Sequence, residues 1–161
     1  PPPLPARRAP ATRTIAPAGE LEQGRPAHTP PEFADGRAHN AAGSPGGEPW
    51  EVASVEIWDP ETSSVLAGDP LEAARTDHSA TLLPSGDVLI LGGTESSGAD
   101  LPAELWDQET ELFETIDILS EQYGHTANLL PDGRVLLVGG IVTDQESSAA
   151  AALIDPTASA E

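Results

Sequence analysis

The chain has 161 residues, 27 of them acidic and seven basic, for a formal charge of −20. So acidic a chain repels phosphate backbones and anionic bilayers, which sets nucleic acid and anionic membrane surfaces aside as partners. It has no cysteine, which excludes disulfides, thiolate metal sites, iron–sulfur clusters and cysteine nucleophiles.

All seven basic residues are Arg. A Lys-free acidic surface gives solubility, and it also fits a salty or extracellular setting or weak Ca²⁺ binding. No window holds the ~18 apolar residues of a membrane span. No basic start leads into an apolar core, so an uncleaved signal peptide is not expected. The chain begins with Pro1 and contains no Met, which leads to the expectation of a processed form or a fragment.

Residues 1–50 hold most of the prolines, in PPPLPARRAPATRTIAPAG, RPAHTPPEF and AGSPGGEP. Leu4, Ile15, Leu21 and Phe33 are scattered without period. Such a segment buries too little surface to offset its chain entropy. It reads as an irregular tail or linker, extended where proline dominates. PPPLP (1–5) has the form of a ligand for aromatic grooves, but a plain spacer is the favoured reading. Five of the seven Arg lie here (Arg7, Arg8, Arg13, Arg25, Arg37), so the acid is concentrated in residues 51–161.

From Glu51 the pattern changes. Val55 and Ile57 alternate with Glu56, and Trp58 closes the run, which indicates a half-buried strand. Asp59-Pro60 then opens a turn. HSATLL (78–83) reads as a strand, Pro84-Ser85-Gly86-Asp87 as a turn, and DVLILGG (87–93) as an apolar strand buried on both faces. Strands joined this closely form an antiparallel hairpin.

HSATLLPSGDVLILGG (78–93) returns 47 residues later as HTANLLPDGRVLLVGG (125–140), with ten of sixteen positions identical. A period near 47 marks a repeat architecture. One segment resists this frame. AELWDQETELFETIDIL (103–119) places Leu105, Leu112, Phe113 and Ile116 on one helical face. The repeat decides against a helix. IWDPETSSVL (57–66) aligns with LWDQETELFE (105–114), and its Pro60 and two serines suit a hairpin, not a helix interior. LIDPTAS (153–159) is a third copy. Residues 103–118 are therefore expected to be two strands around the turn Asp107–Thr110. Each unit has four strands. The frame contains a partial unit at 52–70, a full one at 75–119 and a partial one at 122–161.

The period, the His before the first strand, the Pro-x-Gly turn, the strand ending in Gly-Gly and the aromatic-Asp-Pro-x-Thr turn together resemble Kelch repeats. The resemblance spans residues 52–158. It implies an all-β fold of β-propeller blades, each a four-stranded antiparallel sheet, here as an incomplete ring of about two and a quarter blades behind the Pro/Ala-rich tail. Completion is expected from further segments, further copies or protein partners, because each repeat needs a neighbour to cover its faces.

The repeated positions carry structural roles first. His78 and His125 are equivalent, which favours a shared hydrogen-bonding role over a metal pair. Gly92-Gly93 and Gly139-Gly140 lack the Lys-Ser/Thr of a phosphate cradle and suit close backbone approach. Trp58 and Trp106 share their position with Ile154, so the site wants apolar bulk. Asp59, Asp107 and Asp155 suit turn capping. The loops that differ between repeats, 93–104 and 140–152, are the better binding candidates; Thr94, Glu95, Asp100, Thr143, Asp144 and Glu146 are the polar residues in them.

No catalytic residue, cofactor fingerprint or metal set emerges. The expected function is a non-catalytic protein-binding or assembly scaffold. One alternative is a piece of a galactose-oxidase-like enzyme. That family's copper site uses a Cys-linked Tyr, a second Tyr and two His; this chain has one Tyr, Tyr123, and no Cys, so the catalytic residues would lie elsewhere. The other is a structural component of a secreted or cell-surface assembly.

Overall fold

The computed structural model describes residues 20–21, 31, 33, 37–44, 51–98, 101–119, 122–142 and 146–157. Their regular structure is entirely β. The strands are β1 (Ala38–Ala41), β2 (Val55–Asp59), β3 (Ser64–Gly68), β4 (Ser79–Leu82), β5 (Val88–Leu91), β6 (Pro102–Trp106), β7 (Phe113–Leu119), β8 (Thr126–Leu129), β9 (Val135–Val138) and β10 (Ala151–Ile154). They form three antiparallel sheets, ordered β1-β2-β3, β4-β5-β6-β7 and β10-β9-β8, and no sheet closes into a ring or barrel.

The ambiguous segment 103–118 lies in two strands, β6 and β7, with a register shift between Pro102 and Ala103. Tertiary pairing overrides its helical propensity, because β6 fills the edge of β5 with Leu105 opposite Leu89.

The tail requires a correction. Residues 38–41 were expected to belong to an irregular segment ending at 50, yet they form β1, with Ala41 opposite Val55 and His39 opposite Ile57. The first sheet therefore begins before residue 52. The Phe33 amide donates to the Arg37 carbonyl at 2.8 Å, as Leu83 does to Asp87 and Leu130 to Arg134 at the same distance. The same amide-to-carbonyl contact recurs at all three places. The sequence carries the cue in Asp35-Gly36-Arg37, identical to Asp132-Gly133-Arg134. His39 and Asn40 hide it, because they stand where β5 and β9 have Leu and Ile.

Period-two alternation assigns the faces. In β5, Val88 and Ile90 point toward the first sheet and Leu89 and Leu91 toward the third; all four are fully buried. One core joins Val88, Ile90, Trp106 and Phe113 to Ala41, Val55, Ile57, Leu71 and Phe33. A second joins Leu89, Leu91, Ala103 and Leu83 to Val135 and Leu137. Each of the Val, Leu, Ile and Phe side chains among them contributes roughly 1.5–3 kcal/mol by leaving water. The middle sheet thus holds its neighbours on both sides. Among the described residues the third sheet has no such cover on its outer face, where Val138 and Leu153 are 41% and 47% exposed.

Candidate functional site

The seams between sheets hold the repeated residues. At the second seam, the Gly93 amide donates to the Gln122 carbonyl at 3.2 Å, and Gly124 donates to Asp77 at 2.8 Å. At the first seam, Gly43 donates to Arg75 at 3.0 Å in the equivalent place. The second glycine of each pair is required by approach as well as by angle. Gly93 has φ +96° and Gly140 φ +100°; a Cβ there would sit 2.8 Å from the carbonyl oxygen of Thr76 or Tyr123. Those carbonyls accept from Thr94 and Ile141, so the contact is part of a small ladder.

His78 and His125 are both buried, at the starts of β4 and β8. The Nδ1 of His125 lies 3.1 Å from the Gln122 carbonyl, and its Nε2 lies 2.8 Å from the Ser79 hydroxyl. A neutral ring protonated at Nδ1 donates to the carbonyl and accepts from Ser79, satisfying both nitrogens. Burial holds this imidazole below its usual range. His78 packs near Gly93, where a Cβ would come within 3.1 Å of its own. Among the described residues, no group of three or more His, Cys, Asp and Glu could hold a metal ion.

Trp106 is buried against Phe33 and His39, with ring centroids 5.1 Å from each. Trp58, half-buried, points to the other side of the first sheet, in register with Ala38. Ile154 packs against the second core. The three aspartates occupy equivalent turns. Asp59 accepts from the Glu61 amide at 2.8 Å, Asp107 from Glu109 at 2.9 Å and Thr110 at 2.7 Å, and Asp155 from Thr157 at 3.0 Å. These donors hold the Asp59 and Asp107 carboxyls below the usual carboxylate range, because they favour the charged form.

A shallow open recess of about 320 Å³ lies where β5 ends, lined by Ser44, Glu51, Thr76, Thr94, Glu95 and Ser96. Two of the loop candidates, Thr94 and Glu95, are in it. Glu51 accepts from the Ser96 amide at 2.7 Å and from its hydroxyl, which lowers the carboxyl's pKa; Glu95 is bound by the Ser97 hydroxyl. Glu146 is exposed, and its carbonyl accepts from Val142 at 3.0 Å. Asp100, Thr143 and Asp144 lie outside the described residues. A second recess, about 510 Å³, lies at the other end of β5 among Ser85, Asp87, Asp107, Gln108 and Glu109. Both recesses are rich in carboxylates and hydroxyls. They suit basic or hydroxyl-bearing surfaces, and neither assembles a nucleophile with a base.

Two buried polar features were missed by the sequence reading. Arg75 and Glu104 form an ion pair with both side chains fully buried, Nη2 to Oε1 at 2.5 Å. Arg75 also donates to the Gly92 carbonyl at 3.0 Å, and Glu104 accepts from the amides of Glu72 at 2.7 Å and Ala73 at 3.2 Å. Burial pulls the guanidinium below its ordinary value while Glu104 opposes that shift. The second feature is His39, fully buried among rings. The cue for the first was the repeat position itself: Glu56 and Glu104 are equivalent, with Ala152 third.

No protein-family model matches the chain, and no curated protein is similar enough to match it.

Proposed function

We propose that the chain is a segment of Kelch-type propeller blades that acts as a protein-binding or assembly scaffold. The observation that carries this reading is the outer face of the third sheet. Leu136, Val138 and Leu153 are the repeat counterparts of Leu89, Leu91 and Leu105, all of which the third sheet packs against or covers. On the third sheet the counterparts face outward, with Val138 and Leu153 exposed. A face built on this pattern fits another sheet-forming segment, from a further copy or a partner chain. The acidic loops at its rim favour a partner with a basic border.

The copper-oxidase alternative has less support. Tyr123 has its backbone in the ladder with Ile141, and both His125 nitrogens are engaged within the fold. No described cluster supplies three metal ligands.

The test is association of the purified chain, measured by light scattering across concentration, with Leu136→Glu and Leu153→Glu as the perturbations. Association that both variants abolish, with circular dichroism unchanged, supports the reading. A chain that stays monomeric and binds no apolar dye on that face refutes it.

A further inference from the structure

His39 occupies a position that the repeat otherwise gives to leucine. Leu89 and Leu136 are its counterparts in β5 and β9. The imidazole is fully buried between the first and second sheets. It stands edge-on to Phe33 at 5.9 Å and tilted against Trp106 at 5.1 Å and Phe113 at 5.8 Å. Among the described residues, neither ring nitrogen has a hydrogen-bond partner. A buried polar group without partners costs stability, and a charged one costs far more. Nothing about packing requires this, since Leu89 fills the equivalent place in the second seam.

We propose that His39 is an acid-triggered release for the first seam: its protonation undocks the first sheet from the second and exposes the surface of Phe33, Trp106 and Phe113. The charged groups around the ring supply no counter-ion among the described residues. Arg37, just before β1, carries the same sign as the imidazolium and pairs with Glu111 at 3.6 Å. On β2, Asp59 is held by its turn amides. On β6, Glu104 is committed to Arg75 and two amides. The face of β3 offers Ser64, Leu66 and Gly68, that of β4 Ala80 and Leu82, that of β5 Val88 and Ile90, and that of β7 Phe113 and Thr115. Of the segment between the sheets, Leu71 lines the core, Arg75 is the buried charge, and Asp69, Glu72 and Asp77 are exposed. Burial first, and Arg37 second, lower the imidazole from 6.5 to about 4.

At the second seam burial also holds His125 below its usual range, but both its ring nitrogens are hydrogen-bonded and it lies outside the apolar core, so the first seam opens before the second. Linkage sets the size. Between neutral pH and pH ~5, a site at 6.5 when released and about 4 when docked favours release about 20-fold.

The test is amide hydrogen exchange of the full chain, corrected for the intrinsic pH dependence, with the histidine C2 protons followed by NMR. The expected result is a rise of about 20-fold in opening confined to residues 38–42 and 55–58, with 88–91 and 135–138 protected. His39→Leu should remove the rise. If that variant does not fold, the wild-type ring decides: its titration has to coincide with loss of protection in β1 and β2. Three results overturn the proposal. They are a His39 ring that titrates near 6.5 with β1 still protected, a simultaneous loss of protection in all three sheets, and a His39→Leu chain with unchanged acid response.

Discussion

Glu104→Ala removes the acceptor of three donors at once, the Arg75 guanidinium and the amides of Glu72 and Ala73. The stranded charge dominates. Removing one partner of a buried ion pair costs about 3–5 kcal/mol, and each amide left without an acceptor adds about 1–3 kcal/mol where water does not reach it. A loss of about 4 kcal/mol or more is expected, a large share of the roughly 5–15 kcal/mol that holds a domain together. The pair itself is worth far less than its breakage. Arg75→Met with Glu104→Leu removes both charges, so the double variant should lie above Glu104→Ala in stability, leaving neutral groups alone unsatisfied: the two amides and the Gly92 carbonyl. Urea unfolding followed by tryptophan fluorescence and circular dichroism measures all four corners of the cycle. A Glu104→Ala cost below about 1 kcal/mol, or a double variant whose loss equals the sum of the singles, would refute the account of a desolvated, mutually dependent pair.

Gly93→Ala and Gly133→Ala both place a Cβ at positive φ, but only the first meets a backbone oxygen, at 2.8 Å, while nothing lies within 4 Å of the second. Gly133→Ala should cost about 1–2 kcal/mol of conformational strain, and Gly93→Ala clearly more, by thermal unfolding. Trp106→Ala should cost about 3–5 kcal/mol, and Trp58→Ala less, because Trp58 is half-exposed. Ser79→Ala removes the hydroxyl that His125 accepts from and should raise amide exchange in β8 without affecting β1. The Asp107 carboxyl, held below 3.8 by Thr110 and Glu109, favours the fold above that value and loses its contribution as pH falls through the lower folded value. Asp107→Asn keeps an acceptor oxygen and should flatten that limb of the pH–stability curve.

The parts of the fold legible in sequence were those where the repeat is apolar. The hairpins 78–93 and 125–140 were readable because Val88–Leu91 and Val135–Val138 keep the same pattern of bulk. β6 and β7 were readable only by alignment with residues 57–66, since their own composition favours a helix. β1 was missed because AHNA is not an apolar strand by composition; its strand character comes from pairing with β2. The site was legible as positions but not as contacts. His125 was expected to bond a neighbouring element, yet Ser79 as its partner depends on how two sheets approach. Arg75 and Glu104 lie 29 residues apart, and no spacing rule joins them.

The departures from apolar repetition cluster at one place. His39 stands for leucine, and Arg75 with Glu104 stands where the next unit has Gln122 and Ala152; all three belong to the first seam. The second seam is held by Leu89, Leu91, Val135 and Leu137, and its polar contacts are neutral. Two seams of one repeat therefore answer differently to acid. At about 1.4 kcal/mol for each tenfold change in proton affinity, the drop of His39 from 6.5 to about 4 corresponds to about 3 kcal/mol. That contribution is complete above pH 6.5 and is lost as pH falls toward about 4, since the released state binds the proton first. The first seam is expected to fail before the second in mild acid, and a chain carrying His39→Leu should lose this order. If the wild-type seams instead yield together at every pH, local linkage at His39 is too weak to matter against the cooperativity of the stack.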